Sequence, residues 1–356
     1  MAKRQQKKSS KSSHKRKKRR VLSLVLLFIF VAFVGTLFWG YSEYDYRYGK
    51  VAVKDLSLSF GVGATSVDSV ARVLEQQGVI ASSEDFISEA RNRGIGQFRE
   101  GHYRFGSGES YRQMFNTLRF GYQTPVRVTF NNIRTVEQLS GVLAKRLMTD
   151  SVSFAQYFLA KESEVGASFI GYFTPNTYEF YWTVTPEEFY DYMKGQYDSF
   201  WDSDVRRRQL SGLGLSADEV VTIASIVDEE TNYSPEMRDV AGVYINRLRV
   251  GMPLQADPTV KFAVGDFSIR RVLHRHLSYE SPYNTYLHSG LPPGPICSPS
   301  VAAIEATLSY SDGGHGYYYF CASTAFDGTH KFARNLSEHN SNARAYQREL
   351  SRRGIR

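Results

Sequence analysis

Two cysteines, Cys297 and Cys321, are all that the 356 residues contain. So few exclude a disulfide framework, and sequence alone leaves open whether the two pair or stay separate thiols. No repeat of fixed period runs along the chain, and low-complexity sequence is confined to the amino terminus. Acid is missing from the first 20 residues, which hold 11 of the 44 Lys and Arg. The remainder carries 33 basic and 36 acidic side chains, a net of −3. The formal charge of +8 therefore belongs to a tail, and a basic groove for nucleic acid over the folded body is not supported. His274, His276, His288, His315, His330 and His339 lack recognised metal-ligand spacing, and no H-E-x-x-H occurs. A metal hydrolase is therefore not indicated.

What is present begins with one long apolar run, VLSLVLLFIFVAFVGTLFWG over residues 21–40, uncharged throughout. At ~1.5 Å per residue it spans about 30 Å, the thickness of a bilayer's hydrocarbon core. Trp39 and Tyr41 stand where interfacial aromatics belong. A cleaved signal peptide would have a shorter apolar stretch followed by a small-residue site, whereas this run ends in bulky aromatics. The expectation is a basic cytoplasmic tail over 1–20, a transmembrane helix over 21–40, and a juxtamembrane linker over 41–51. The charges beyond the run, Glu43, Asp45, Arg47 and Lys50, are mixed. The positive-inside bias then places everything after residue 41 outside the cytoplasm.

With 42% hydrophobic and 14% aromatic residues the chain can build a core, and its length suits two domains or one large domain with an appendage. Over 52–122 the pattern predicts a small α+β segment. Val67, Val70, Ala71 and Leu74 mark one face of a helix stopping at Gly78. A second helix covers Glu84 to Asn92, GHYRF (101–105) alternates as a strand, and a third helix runs over 111–119. A larger mixed α/β domain occupies 125–350, opening with a strand from Val126 to Phe130. The fold class is α+β.

The most informative stretch follows residue 210. Ser216 and Glu219 form a capping box ahead of an apolar run, which predicts a helix from Ala217 to about Thr231. Val220, Ile223, Ala224 and Val227 share its buried face. Asp228, Glu229 and Glu230 close it and point in three directions, about 100° apart. Glu229 falls opposite the apolar stripe and is expected in solvent. Asp228 borders one edge of the stripe, near Val221. Glu230 borders the other and sits at the helix C-terminus, where burial and the helix dipole both raise a carboxyl pKa. A general acid at neutral pH needs that property. Ser234 is the expected N-cap of a second helix, Pro235 to Val250, with Met237, Val240, Ala241, Tyr244 and Leu248 packed and Arg247 near its end. Loops dense in Pro, Gly, Asn and Tyr come next, a composition that suits sugars.

ASIVDEET, AGVYINRLRVGMPLQADPTV, SPYNTYLHSGLPPGPICSPS and YYYFCAST…GTHKFARNLSEHN, in that order, resemble the YceG-like endolytic murein transglycosylase family. The resemblance covers about residues 125–345, and EGHYRF with the helix after it looks like the family's small LysM-like subdomain. It implies a membrane enzyme that cuts the β-1,4 bond between N-acetylmuramic acid and N-acetylglucosamine inside peptidoglycan strands. The cut is non-hydrolytic and leaves 1,6-anhydro-muramyl ends. The family's catalytic glutamate precedes Thr in E-x-E-T. It carries over to Glu230, while Asp228 replaces the family's first Glu with a shorter side chain. Candidate groove residues are Asp228, Arg247, Gln255, Asp257, Tyr283, Asn284, Thr285 and Tyr286. The implied chemistry requires no metal and no cofactor. Implied partners are glycan strands, the membrane and peptidoglycan synthases. The alternative is a non-catalytic, peptidoglycan-binding scaffold of the wall-synthesis machinery, which the anchor and the LysM-like segment fit equally well.

Overall fold

A computed structural model describes residues 2–165 and 168–354. The expected basic tail falls largely outside this description: Met1 is not included, and of residues 2–17 only the backbone is. The chain divides into two compact units, Met1–Pro125 and Val126–Arg356. Helix and strand are mixed, with helix dominant, and among the described residues every sheet is a two-stranded antiparallel pair.

In the first unit, α1 (Ala2–Tyr48) contains the apolar run. Its segment Lys18–Tyr48 is long and apolar enough to cross a membrane, and the apolar window within it is unburied by protein, consistent with a single-pass anchor. The linker expected over 41–51 is corrected here. Residues 41–48 continue the helix, because no Gly or Pro interrupts them before Gly49. They also dock on the small unit. Glu43 pairs with Arg47 one turn on and with Arg93, both at 2.7 Å. The Arg93 guanidinium lies 3.7 Å from the centre of the Tyr46 ring, and Tyr46 packs beside Phe115.

The remaining elements of this unit are β1 (Leu56–Phe60), α2 (Val67–Gln76), α3 (Ser83–Asn92), β2 (Gly101–Phe105) and α4 (Tyr111–Phe120). β1 pairs with β2, Leu56 opposite Phe105. The α2 face of Val67, Val70, Ala71 and Leu74 is buried as the periodicity predicts. α2 ends at Gln76, short of the expected stop, and Gly78 takes the left-handed turn beyond it. α4 opens on a reciprocal Ser110–Gln113 capping box and closes on left-handed Gly121. Phe86 and Phe115 meet edge-on at 4.9 Å in the core between them.

The second unit runs β3 (Val126–Phe130), α5 (Val136–Ala144), α6 (Ser151–Val165), β4 (Asn176–Phe180), α7 (Pro186–Trp201), α8 (Asp204–Leu213), α9 (Ala217–Glu230), α10 (Ser234–Arg249), α11 (Asp257–Val264), α12 (His274–Leu277), α13 (Val301–Leu308), β5 (Tyr319–Ala322), β6 (His330–Ala333) and α14 (Leu336–Arg352). β3 pairs with β4, and their inner face joins α5, α6 and α7 around an aromatic core that includes Phe154, Phe158, Phe173 and Phe189. A second core forms around α9. Eight consecutive residues, Val220 to Val227, are buried, so α9 is enclosed on all sides and not along the single stripe that periodicity predicts. Its neighbours α10, α11 and α13 cover the faces a lone helix would leave wet. β5 and β6 form a hairpin, Tyr319 opposite Ala333, and α14 packs against it. Both cysteines are free thiols.

Candidate active site

The end of α9 decides where three adjacent carboxylates go. The predicted capping box is present: the Ser216 N–H donates to Glu219 Oε2 at 2.8 Å, and Ser216 Oγ accepts the Glu219 N–H at 3.2 Å. At the other end Thr231 is extended, so Glu230 is the last helical residue. The carboxylates then diverge, as 100° steps require. Asp228 accepts the Ser300 N–H at 3.0 Å and its hydroxyl at 2.7 Å, which holds the N-cap of α13. Glu229 takes both oxygens to Arg134 Nη2, at 2.7 and 2.9 Å. The expectation of a solvated Glu229 is thereby corrected: the face opposite the stripe is covered by the loop carrying Arg134.

Glu230 makes no ion pair of that kind among the described residues. Its Oε1 accepts the Tyr244 hydroxyl at 2.8 Å. Packed protein pushes its carboxyl up to about 7, and the negative charge of Asp257 adds to the effect. The Tyr244 hydrogen bond, His330 and Lys261 oppose it. Tyr244 is buried, and its hydroxyl is raised well above the usual range by burial and by Glu230, so it stays a donor. Glu230 as a whole residue is half-buried.

Two of the candidate groove residues join this site. Asp257 opens α11, and its Oδ1 accepts the Tyr286 hydroxyl at 2.7 Å. The fields of both act on Glu230 or respond to it. Gln255, just before, has φ +50, and its N–H donates to the Thr285 carbonyl at 3.1 Å, leaving its side chain exposed. That left-handed backbone at a non-glycine residue carries a cost that the Thr285 contact holds in place.

The others make their polar contacts with the protein itself. Asn284 is buried, donating to the Leu277 and Tyr279 carbonyls and accepting the Tyr286 N–H at 3.0 Å. Thr285 Oγ1 accepts the Ala256 N–H at 3.0 Å and meets Thr259 Oγ1 at 2.8 Å. These contacts shape the loops that present Tyr286 and Gln255. The Tyr283 ring lies 4.7 Å from that of Phe262, tilted by 49°. Arg247 lies in the last turn of α10, as expected, and is buried there. Its Nε donates to the Tyr318 carbonyl at 2.7 Å and its Nη1 to the Leu254 carbonyl at 2.6 Å, tying α10 to the hairpin and to the loop before α11. Ser234 is not the N-cap of α10: Tyr233 holds that position, and Thr231 Oγ1 accepts the Tyr233 N–H at 3.1 Å.

Sequence reasoning missed Tyr244 as a site residue, having counted it only as packing. The available signal was its hydroxyl, since a tyrosine on a buried stripe needs a polar partner. Glu236 and His330 were missed as well.

This geometry lies within the span that the YceG-like family profile matches, residues 63–345. The chain belongs to the YceG-like family. Similar proteins include one from Bacillus subtilis (strain 168) named endolytic murein transglycosylase, 29% identical over 309 residues, covering 79% of this chain and 82% of that one. A Streptococcus pneumoniae (strain ATCC BAA-255 / R6) protein of the same name is 27% identical over 316 residues, covering 78% of this chain. The chain matches only 56% of that pneumococcal relative's length. A crystal structure of a yceG-like protein from Listeria monocytogenes shares the fold, with a TM-score of 0.51 at 24% identity over 82% of this chain and 99% of that one. In this YceG-like chain, Glu230 is a carboxyl raised to about 7 that, among the described residues, receives one side-chain hydrogen bond, from Tyr244 to Oε1.

Proposed function

We propose that the protein is an endolytic lytic transglycosylase that cuts the MurNAc-β-1,4-GlcNAc bond within peptidoglycan strands, with Glu230 as the single general acid and base. The observation that carries this reading is the Glu230 carboxyl, held at about 7 by burial and bonded on one side by Tyr244. The names of the similar proteins supply the substrate.

Protonated Glu230 gives its proton to the departing glycosidic oxygen as the C1–O bond breaks. The carboxylate so formed takes the proton from the muramyl 6-hydroxyl, whose oxygen bonds to C1. One proton leaves Glu230 and one returns, the products are a GlcNAc 4-hydroxyl and a 1,6-anhydro-MurNAc end, and no water is consumed. A hydrolase would need a second carboxylate as base or nucleophile. Asp228 and Glu229 are committed to Ser300 and Arg134, which supports the one-carboxylate scheme. Asp257 acts by charge, favouring the neutral acid before reaction and positive charge at C1 during it.

The same reading makes α1 an uncleaved inner-membrane anchor with a cytoplasmic amino terminus and an extracytoplasmic body. It makes the small unit a LysM-like glycan-binding module. The enzyme then meets nascent strands near the synthases and ends their elongation. The deciding experiment incubates purified protein with peptidoglycan and reads the products by mass spectrometry. Anhydro-muramyl ends that vanish in Glu230→Gln are expected. Reducing ends would mean a hydrolase, and binding without cleavage would mean a scaffold.

A further inference from the structure

A second titratable pair lies beside Glu230 and has no part in that scheme. Glu236, in the first turn of α10, is buried with both oxygens occupied. Oε1 accepts the Thr231 hydroxyl at 3.1 Å and meets His330 Nδ1 at 2.6 Å, while Oε2 accepts the His330 backbone N–H at 3.0 Å. An ionised carboxylate can only accept, so the Nδ1 position of His330 carries a hydrogen. The imidazole is thus pinned by one nitrogen, as in carboxylate–histidine pairs that fix a tautomer. Its Nε2 has no protein partner among the described residues, and the side chain keeps 15% of its surface open.

The contacts form a closed ring. Glu230 bonds Tyr244. The Tyr244 ring meets Phe320 edge-on at 6.0 Å, and Phe320 meets His330 edge-on at 5.2 Å. His330 bonds Glu236, and Glu236 bonds Thr231, the residue that follows Glu230. Two elements far apart in sequence, α10 and β6, are clamped, with one imidazole nitrogen left unpartnered among the described residues on a ring close enough to act electrostatically on Glu230.

We propose that His330 contacts substrate: Nε2 accepts a hydroxyl of the sugar at the scissile bond, and Glu236 is the positioning residue that fixes the ring. This rests on the transglycosylase reading. Two substitutions separate it from a structural role. His330→Asn keeps a donor near Nδ1 for Glu236 but removes Nε2. His330→Gln keeps an amide near Nε2 but gives up the bond to Glu236. On glycan strands, His330→Asn is expected to lose about tenfold in kcat, the worth of one hydrogen bond, with KM little changed. His330→Gln is expected to retain more kcat than His330→Asn despite a lower melting temperature. The opposite order, or equal rates, overturns the proposal, because a structural histidine is better replaced by Asn. In Glu236→Gln, 15N shifts of the His330 ring should move from the single Nδ1–H tautomer to a mixture, and an unchanged tautomer removes Glu236 from the role. If the unsubstituted protein leaves strands uncut, both readings fall. If it cuts them and His330→Asn cuts as well, only this one does.

Discussion

The Tyr244 hydroxyl and the Glu230 carboxyl, 14 residues apart on consecutive helices, meet at 2.8 Å. The bond takes Oε1, and in the proposed mechanism the transferable proton is carried on Oε2. It also restrains the acid, since a donor stabilises the ionised form and works against the burial that raises the carboxyl.

Tyr244→Phe should therefore make Glu230 a weaker acid. The basic limb of the pH–rate profile, read as anhydro-product formation, moves to higher pH. Loss of one hydrogen bond to a buried site costs about 1 kcal/mol of stability, checked by urea denaturation.

The raised carboxyl also links stability to pH. Its folded value of about 7 lies above the ordinary 4.5, so the folded state holds this proton more tightly than the unfolded chain does. The contribution is present in full below 4.5 and is lost as pH rises towards and through 7. At about 1.4 kcal/mol per unit, the loss is roughly 3 kcal/mol at most. Glu230→Gln is uncharged throughout and should be more stable than the unsubstituted protein at pH 8, with no such advantage at pH 4.5. Denaturant melts at the two pH values check this. Activity should fall over the same rise through about 7.

Asp228 and Glu230 separate cleanly as targets. Asp228→Ala removes the acceptor of two Ser300 donors and loosens the start of α13. A stability loss of about 1–2 kcal/mol is expected, with the pH–rate profile unmoved. A shifted profile would assign Asp228 to the chemistry.

Arg247→Lys tests the buried guanidinium. A lysine ammonium reaches as a point charge and cannot serve the Tyr318 and Leu254 carbonyls with the same fork. The expected cost is about 2–3 kcal/mol, visible as a lower midpoint in thermal or urea unfolding.

Local signals were legible in the sequence where the physics is local. The Ser216–Glu219 box, the α2 face and the end of α9 within one residue all follow from spacing and caps. Partners from distant chain were not. Arg134 lies 95 residues before Glu229, and His330 lies 94 after Glu236. No periodicity reports such pairs, so a carboxylate predicted in solvent turned out paired. Enclosure of α9 was hidden for the same reason, because a helix pattern shows one stripe and not how many neighbours arrive. The expected linker failed differently: hydropathy marks where apolar residues stop, not where helix stops.

That last point changes what α1 would do as the proposed anchor. From the apolar run to Tyr48 the helix is unbroken, and Glu43 and Tyr46 lock it to the small unit. Such a connection transmits angle as well as distance. One residue inserted after Gly40 would lift the docked unit by only about 1.5 Å but turn it by about 100° around the helix axis. A series of insertions there should rise and fall in cellular effect with a period near 3.6 residues, like the phase of a screw, where a flexible tether would give a smooth decline.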